Sequence, residues 1–375
     1  MPVYVGSAAP PPPRLLSLDV FRGATVAAMV LVNNPGTWRA VYPPLRHAAW
    51  HGVTPTDAIF PFFLFIVGVA IPLALRPRRT DPHGAAVVAK IVRRSAVIFG
   101  LGLLLHAVPW FQWDTLRIPG VLQRIAVCYL LAALVFVTTT WRAQVVTTAM
   151  LLLAYWGAMT LIPVPGYGAG DLSPAGNLAG YVDRTVLGAH VWRVDPRYDP
   201  EGILSTVPAL ATTLIGVLAG QWLRSSRAPR TLAAGLASGG VAGVAIGSVW
   251  SLVFPLNKAL WTSSYAVFMA GVALLALAAC YGVIEIRGHR AWTRPFAALG
   301  VNALALFFLS TLVARLLGLI RVGTPGVNLH AVLFDHLFAP WAAPVQASLA
   351  YALAYVGVWW AVMWVLYRRH IVLRV

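Results

Sequence analysis

The sequence predicts an all-α polytopic membrane protein: one bundle of about ten transmembrane helices, with both termini cytoplasmic. Three observations predict it. The 375 residues are 59% hydrophobic and only 10% charged, and their mean hydropathy is +0.76, whereas a soluble domain is nearer half apolar and a quarter charged. Apolar runs of about 20 residues recur along the whole chain, as a hydrocarbon core of about 30 Å requires; the strands of a membrane barrel would be about 10 residues long with alternating character. Finally, Lys and Arg cluster in alternate connections between the runs.

The chain opens with MPVYVGSAAPPPPR, which lacks a basic stretch followed by an apolar one. No cleavable leader is therefore expected, and residues 1–16 read as an extended Pro-rich arm. Spans are expected near 17–35, 56–75, 91–108, 119–138, 144–162, 203–222, 232–254, 263–284, 296–317 and 345–367. They make a single domain, 17–367, followed by a cytoplasmic tail, 368–375, with no soluble domain expected on either side. Of the 28 Lys and Arg, 18 fall on the side of the arm, the even-to-odd connections and the tail, while eight of the 11 acidic residues fall on the other. Positive connections stay cytoplasmic, so the connection carrying His47 is expected to face the outside or lumen. The long connection 163–202 lies on that same far side. Its GYGAG run follows no strand and opens no helix, which makes it turn chemistry rather than a dinucleotide fingerprint. Gly239, Gly243 and Gly247, four residues apart in the seventh span, read as a close helix-packing face.

The net charge of +17 raises the question of nucleic acid. Its distribution answers no, because the Arg are scattered between apolar runs and no basic stripe interleaves with stacking aromatics. Cys128 and Cys280 are the only cysteines and each sits in an apolar run, so they read as small core residues rather than a disulfide framework or zinc site.

Chemistry concentrates between Asn33 and Gly68, where a short polar connection holds two His, two Arg and an Asp at the mouth of the second span. Ionisable groups at a membrane helix end are costly to place and are functional suspects. His47 and His51 have a metal-pair spacing but no clear carboxylate ligand. A positioned imidazole can serve instead as general base or as a brief acyl carrier; the plain alternative is two interfacial side chains with wet tips. Asp57, in TPTDAIFPF, suits a helix cap and can also orient an imidazole. Arg22 (near Asp19), Arg94 and Arg124 read either as a cationic lining for an anionic ligand or as ion-pair and lipid contacts. Asp199 and Glu201 in YDPEGIL crowd the far-side helix mouths together with Asn257, Lys258 and Trp261 in FPLNKALWTSSY, suggesting a lined vestibule.

Six segments then carry a resemblance: SLDVFRG, the HAAW and GVTPTDAIFPFFLFIVG block, RIPGVLQR, GYVDRTVLG, YDPEGIL and NKALWTSSY. In this order, from about Arg14 to the C-terminus, they resemble the family of lysosomal heparan-α-glucosaminide N-acetyltransferase and its bacterial relatives. The resemblance implies a membrane-spanning acetyltransferase using cytosolic acetyl-CoA, without a metal, and an amino sugar or other glycan acceptor on the far side. It puts His47 on the family's catalytic histidine and Asn33 on an active-site asparagine. Asn34 and Pro35 stand where the family has a glycine-rich run, so Asn33 and Asn34 both stay candidates. His51 inherits no role. On this reading Arg14, Arg22, Arg94 and Arg124 are expected to bind the cofactor, and Asp199, Glu201, Asn257, Lys258 and Trp261 the acceptor. Expected partners are membrane lipids, with a second copy of the chain as a further candidate, but no nucleic acid. The Arg-rich, Lys-poor composition points to a bacterial inner membrane. Two rivals stand beside this reading: a transporter or flippase for an anionic lipid or sugar precursor, disfavoured by the lack of a visible repeat, and an O-acetyltransferase of envelope polysaccharide.

Overall fold

The computed structural model describes residues 15–75, 84–323 and 326–373. Arg14, the rest of the N-terminal arm and the cluster Arg76, Arg78 and Arg79 lie outside them. Every expected span coincides with a helix: α1 (Leu16–Asn33), α2 (Ile59–Ala74), α3 (Ala85–Ala107), α4 (Val121–Thr138), α5 (Trp141–Leu161), α7 (Thr206–Leu223), α8 (Pro229–Trp250), α9 (Ser263–Tyr281), the pair α10 (Thr293–Val301) and α11 (Ala303–Leu319), and α13 (Pro344–Arg368). Among the described residues, eight helices are long and apolar enough to cross a membrane, or nine if the bent pair counts as one span. The helix α3 has the length, at 23 residues, but carries Lys90, Arg93 and Arg94 in its first half. The chain is an integral membrane protein built of helices.

The core is α1, α2, α4, α7 and α9, whose facing side chains form one buried apolar cluster running from Val26 and Met29 through Leu64, Ile125 and Leu214 to Tyr265 and Met269. Lipid gives no hydrophobic drive between helices, so close backbone approach supplies the contact. Between α2 and α7 that approach is extreme: a Cβ on Gly68 would lie 2.0 Å from the Thr213 carbonyl oxygen, and one on Gly216 would lie 2.2 Å from that of Phe65. The small-residue face of α8 is real but shifted from the expected register. Gly240, Gly243 and Gly247 meet α9 at Gly271 and Phe268, whereas Gly239 makes only ordinary contact with Leu274.

One expectation is corrected. The ninth span is not continuous, because α10 and α11 meet at 77°. Asn302 makes the break: its side-chain amide donates to the Ile371 carbonyl at 3.0 Å and its oxygen accepts from the Leu373 N–H at 2.9 Å, tying the end of the chain to the kink. The connection 163–202 carries structure not anticipated from sequence. It holds a two-residue hairpin, β1 (Pro163–Val164) with β2 (Gly168–Ala169), and a helix, α6 (Leu178–Leu187). Gly166, Gly168 and Gly170 carry the hairpin with φ of 83°, 88° and 77°, so the GYGAG run is turn chemistry. A further short helix, α12 (Leu329–Leu337), precedes α13.

Candidate active site

The chain leaves α1 at Asn33, loops through residues 34–54 and enters α2 by a single 3-10 turn, Pro55–Ala58. Thr54 and Asp57 close that turn as a capping box: the Thr54 N–H donates to Asp57 Oδ2 at 2.9 Å, and the Thr54 hydroxyl lies 3.0 Å from the same oxygen. Asp57 Oδ2 also accepts from the Ala48 N–H at 3.1 Å, which folds the loop back over the helix start. That leaves Asp57 Oδ1 for His47 Nδ1, at 2.7 Å. A carboxylate only accepts, so the proton of neutral His47 sits on Nδ1 and the lone pair of Nε2 faces outward. Asp57 is buried while the His47 side chain is 49% exposed, so the ring is anchored at one nitrogen and accessible at the other. The hydroxyl of Tyr265, from α9, fixes the Asp57 carbonyl at 2.7 Å.

The loop before α9 closes on this pair. Gly52 N–H donates to the Leu256 carbonyl at 2.8 Å, and Lys258 Nζ lies 3.0 and 3.1 Å from the two ring nitrogens of His47 and 3.8 Å from Asp57 Oδ1. Burial moves the Lys258 amine below its usual range, against the opposing pull of Asp57 and Glu201. Asn257 is fully buried; its side-chain oxygen caps the Leu260 N–H at 2.9 Å, and its amide stands 3.4 Å from His51 Nδ1. Burial lowers the pKa of His51. Trp261 takes φ of 49°, a left-handed conformation that is costly for a bulky residue. It is buried edge-on to Phe60 and Tyr265, with its N–H directed at Thr212.

Above Trp261 lies a second polar layer. The Arg124 guanidinium sits 5.2 Å over the Trp261 ring and donates to the Ser205 hydroxyl and, at 3.2 Å, to the Gly202 carbonyl. Among the described residues its buried Nε and Nη1 have no hydrogen-bond partner. Nearby, Arg117 grips both acids of YDPEGIL. It contacts Asp199 at 3.0 and 2.5 Å and Glu201 at 2.6 Å. Arg117 is thereby held charged well above its usual range, against its own burial. For Glu201, burial pushes the pKa up, but Arg117 and Arg124 outweigh it and hold the carboxyl below its ordinary value. Asp183, in α6, behaves oppositely. Burial, helped by Asp199, pushes it up to about 6 despite an N–H from Ile203 and the charge of Arg124, and its Oδ2 has no partner.

His47, Asp57, Lys258, Asn257, Trp261, Arg124, Asp199 and Glu201 thus belong to one constellation. Arg22 and Arg94 are elsewhere. Arg22 lies 11 residues before Asn33 in α1, about 17 Å of helix, and bonds Asp19 at 3.2 Å and the Gly300 carbonyl at 3.5 Å. Arg94, in the first half of α3, stacks over Tyr129 at 4.9 Å. Arg124 therefore parts from the other two arginines and joins the His47 end. Asn33 is exposed in the last turn of α1, and Asn34 bonds back to the Val30 carbonyl at 2.7 Å. Sequence reasoning missed Arg117, Thr54 and Tyr265. For Arg117 a signal existed, since RIPGVLQR opens with an Arg and lies, like the two acids of YDPEGIL, at a far-side helix mouth.

Comparison with known proteins then bears on the whole constellation up to Lys258. A family model described as heparan-alpha-glucosaminide N-acetyltransferase, catalytic, matches residues 14–260. Among relatives, the human heparan-alpha-glucosaminide N-acetyltransferase is 31% identical over 355 aligned residues, covering 79% of this chain and 52% of the human protein. The mouse protein of the same name is 28% identical, over 78% of this chain and 53% of its own length. The chain spans about half the length of these curated relatives. With two thirds of its residues inside the family model, this chain belongs to the heparan-alpha-glucosaminide N-acetyltransferase family.

Proposed function

We propose that this protein is a transmembrane acetyltransferase of the bacterial inner membrane, moving an acetyl group from cytosolic acetyl-CoA to the amine of a glucosamine-like sugar on the far side. The observation that carries the reading is the 2.7 Å contact of Asp57 with His47 Nδ1, in a family named for N-acetyl transfer. It leaves Nε2 to take a proton from the attacking amine, or to take the acetyl group itself and pass it on. Asn33, exposed at the end of α1, is the proposed hydrogen-bond donor to the developing oxyanion, a contribution of about 3–4 kcal/mol. Glu201, whose side chain keeps 12% exposure, is the proposed acidic contact for the hydroxyls and ammonium of an amino sugar, with the fully buried Asp199 fixing Arg117 behind it. Arg124 and Lys258 balance the charge of Glu201, and Trp261 and Asn257 are the proposed supports of the same acceptor site.

CoA carries several negative charges and cannot cross the bilayer unaided. Arg22 and Arg94, toward the opposite end of their helices from His47, are the proposed phosphate ligands, with Arg14 of the arm assigned alongside them. The extended pantetheine arm, roughly 15–20 Å at ordinary chain dimensions, would carry the thioester toward His47. Purified protein with acetyl-CoA and glucosamine should release free thiol and yield N-acetylglucosamine by mass spectrometry. Silence with amine acceptors but turnover with polysaccharide hydroxyls would move the assignment to O-acetylation. Silence with both would return the transporter reading to the front.

A further inference from the structure

We propose that Lys258 is a self-acetylation site: with acetyl-CoA bound and no acceptor present, its side-chain amine takes the acetyl group as a stable amide that closes the site. The inference rests on the acetyltransferase reading above. Its basis is the closeness of a nucleophile, a base and the group that orients the base. Lys258 Nζ lies beside the imidazole, 3.0 Å from Nδ1 and 3.1 Å from Nε2, and Asp57 holds Nδ1 at 2.7 Å, so a nucleophile stands within reach of an oriented base. A small swing of the Lys258 stem is needed to bring the amine from beside the ring onto the Nε2 lone pair.

Composition adds a second, independent observation. The chain has 28 Lys and Arg, and only Lys90 and Lys258 are lysines. Where a permanent positive charge is wanted, this protein uses Arg; beside His47 it has the one cationic side chain that can become a neutral nucleophile. The side chain is 22% exposed, and its four-carbon stem lets Nζ swing from the imidazole toward a thioester carbonyl. The charges facing it are Asp57 at 3.8 Å, with Glu201 and Arg124 farther off.

In the step, the neutral amine of Lys258 attacks the thioester carbonyl carbon. The N–C bond forms and the C–S bond breaks, with its electron pair leaving on the CoA sulfur. The surplus amine proton passes to His47 Nε2 and then to the thiolate, so the products are an Nε-acetyl-lysine and free CoA thiol. If His47 carries the acetyl first, the same amine attacks the acetyl-imidazole and returns the ring to neutral. A sugar acceptor competes by occupying the same place. An amide, unlike an acetyl-imidazole, survives hydroxylamine, so the modification accumulates.

The experiment uses the full chain in detergent or vesicles with acetyl-CoA, with and without glucosamine, followed by hydroxylamine treatment and peptide mass spectrometry. Lys90 serves as an internal control that needs no variant. The expected result is acetylation of Lys258 at least about 100-fold faster than of Lys90, the low end of what a positioned base supplies. The labelling should be suppressed by glucosamine and lost in both His47→Ala and His47→Gln. Equal labelling of the two lysines, or labelling of Lys258 that persists without His47, would overturn the proposal as uncatalysed acylation. Thiol release with glucosamine but an unmodified Lys258 would overturn it while leaving the acetyltransferase reading intact; no thiol release in either arm would remove both.

Discussion

In the proposed reaction His47 works through two different nitrogens, and the substitutions that test it follow from that. Replacing it by Ala removes an exposed ring from a loop, so no core cavity opens and insertion into the membrane should be unaffected. Acetyl transfer should fall by about 10²–10⁴, the usual contribution of a positioned base, measured as thiol release from acetyl-CoA. His51→Ala should retain most of the activity, since its contact is a 3.4 Å approach to Asn257 and not to Asp57. A second residue-scale prediction concerns Asp183, whose pKa of about 6 lies above the 3.8 of an unperturbed aspartate. A raised carboxyl favours the folded state most where it is protonated, below about pH 4, and that contribution fades as the pH rises through about 6. The shift corresponds to roughly 3 kcal/mol. Asp183→Asn keeps an oxygen for the Ile203 N–H and removes the charge, so between pH 4 and 7 its apparent Tm should fall less with rising pH than that of the wild type. Parallel declines in both proteins would assign the pH dependence to another group.

Among the elements, α2 and α7 set the platform on which Asp57 stands. Their contact runs through Gly68 and Gly216, where the opposing atoms are backbone carbonyls that cannot move aside as a flexible side chain would. Gly68→Ala should therefore destabilise by about 3 kcal/mol or more, the upper range for overpacking, and should lower recovery of monodisperse protein in detergent. Gly157→Ala in α5 is the matched control, because its new Cβ would meet nothing within 4 Å; its Tm should be unchanged or slightly raised. The break at Asn302 is the other element-scale feature. It takes the place of a straight ninth span because its side chain satisfies backbone groups of the chain end, an exchange that hydrophobic periodicity does not report.

For the whole molecule, the proposed reaction requires two ends on opposite sides of a membrane. Val194→Cys in the 163–202 connection, on a background with Cys128 and Cys280 replaced, should react with an impermeant thiol reagent outside intact cells. Ser226→Cys, between α7 and α8, should react only after permeabilisation; the reverse pattern would overturn the transmembrane scheme. Arg94→Ala and Arg22→Ala should raise the KM for acetyl-CoA more than that for the acceptor, because a lost phosphate contact removes mainly binding energy. An unchanged dependence on acetyl-CoA in both would assign these arginines to the contacts they make with Tyr129, Asp19 and Gly300.

Helix positions were legible from sequence because a bilayer demands runs of about 20 apolar residues, a local property that survives whatever the tertiary arrangement. The nearness of His47 to Asp57 was legible for a similar reason: the two lie ten residues apart on one short connection pinned by a helix start. Lys258 touches His47 across 211 residues, and Arg117 reaches Asp199 across 82. Such contacts depend on which helices stand side by side, and many sequences with the same apolar runs would arrange them differently. The same holds for Arg124. Its position in an apolar run marked it as important, but only the packing of α4 against Trp261 and Ser205 decided that it belongs with His47 rather than with Arg22 and Arg94. Sequence determined the kind of protein and the local half of its site; tertiary structure decided the partners, because a buried charge is defined by what surrounds it rather than by its neighbours along the chain.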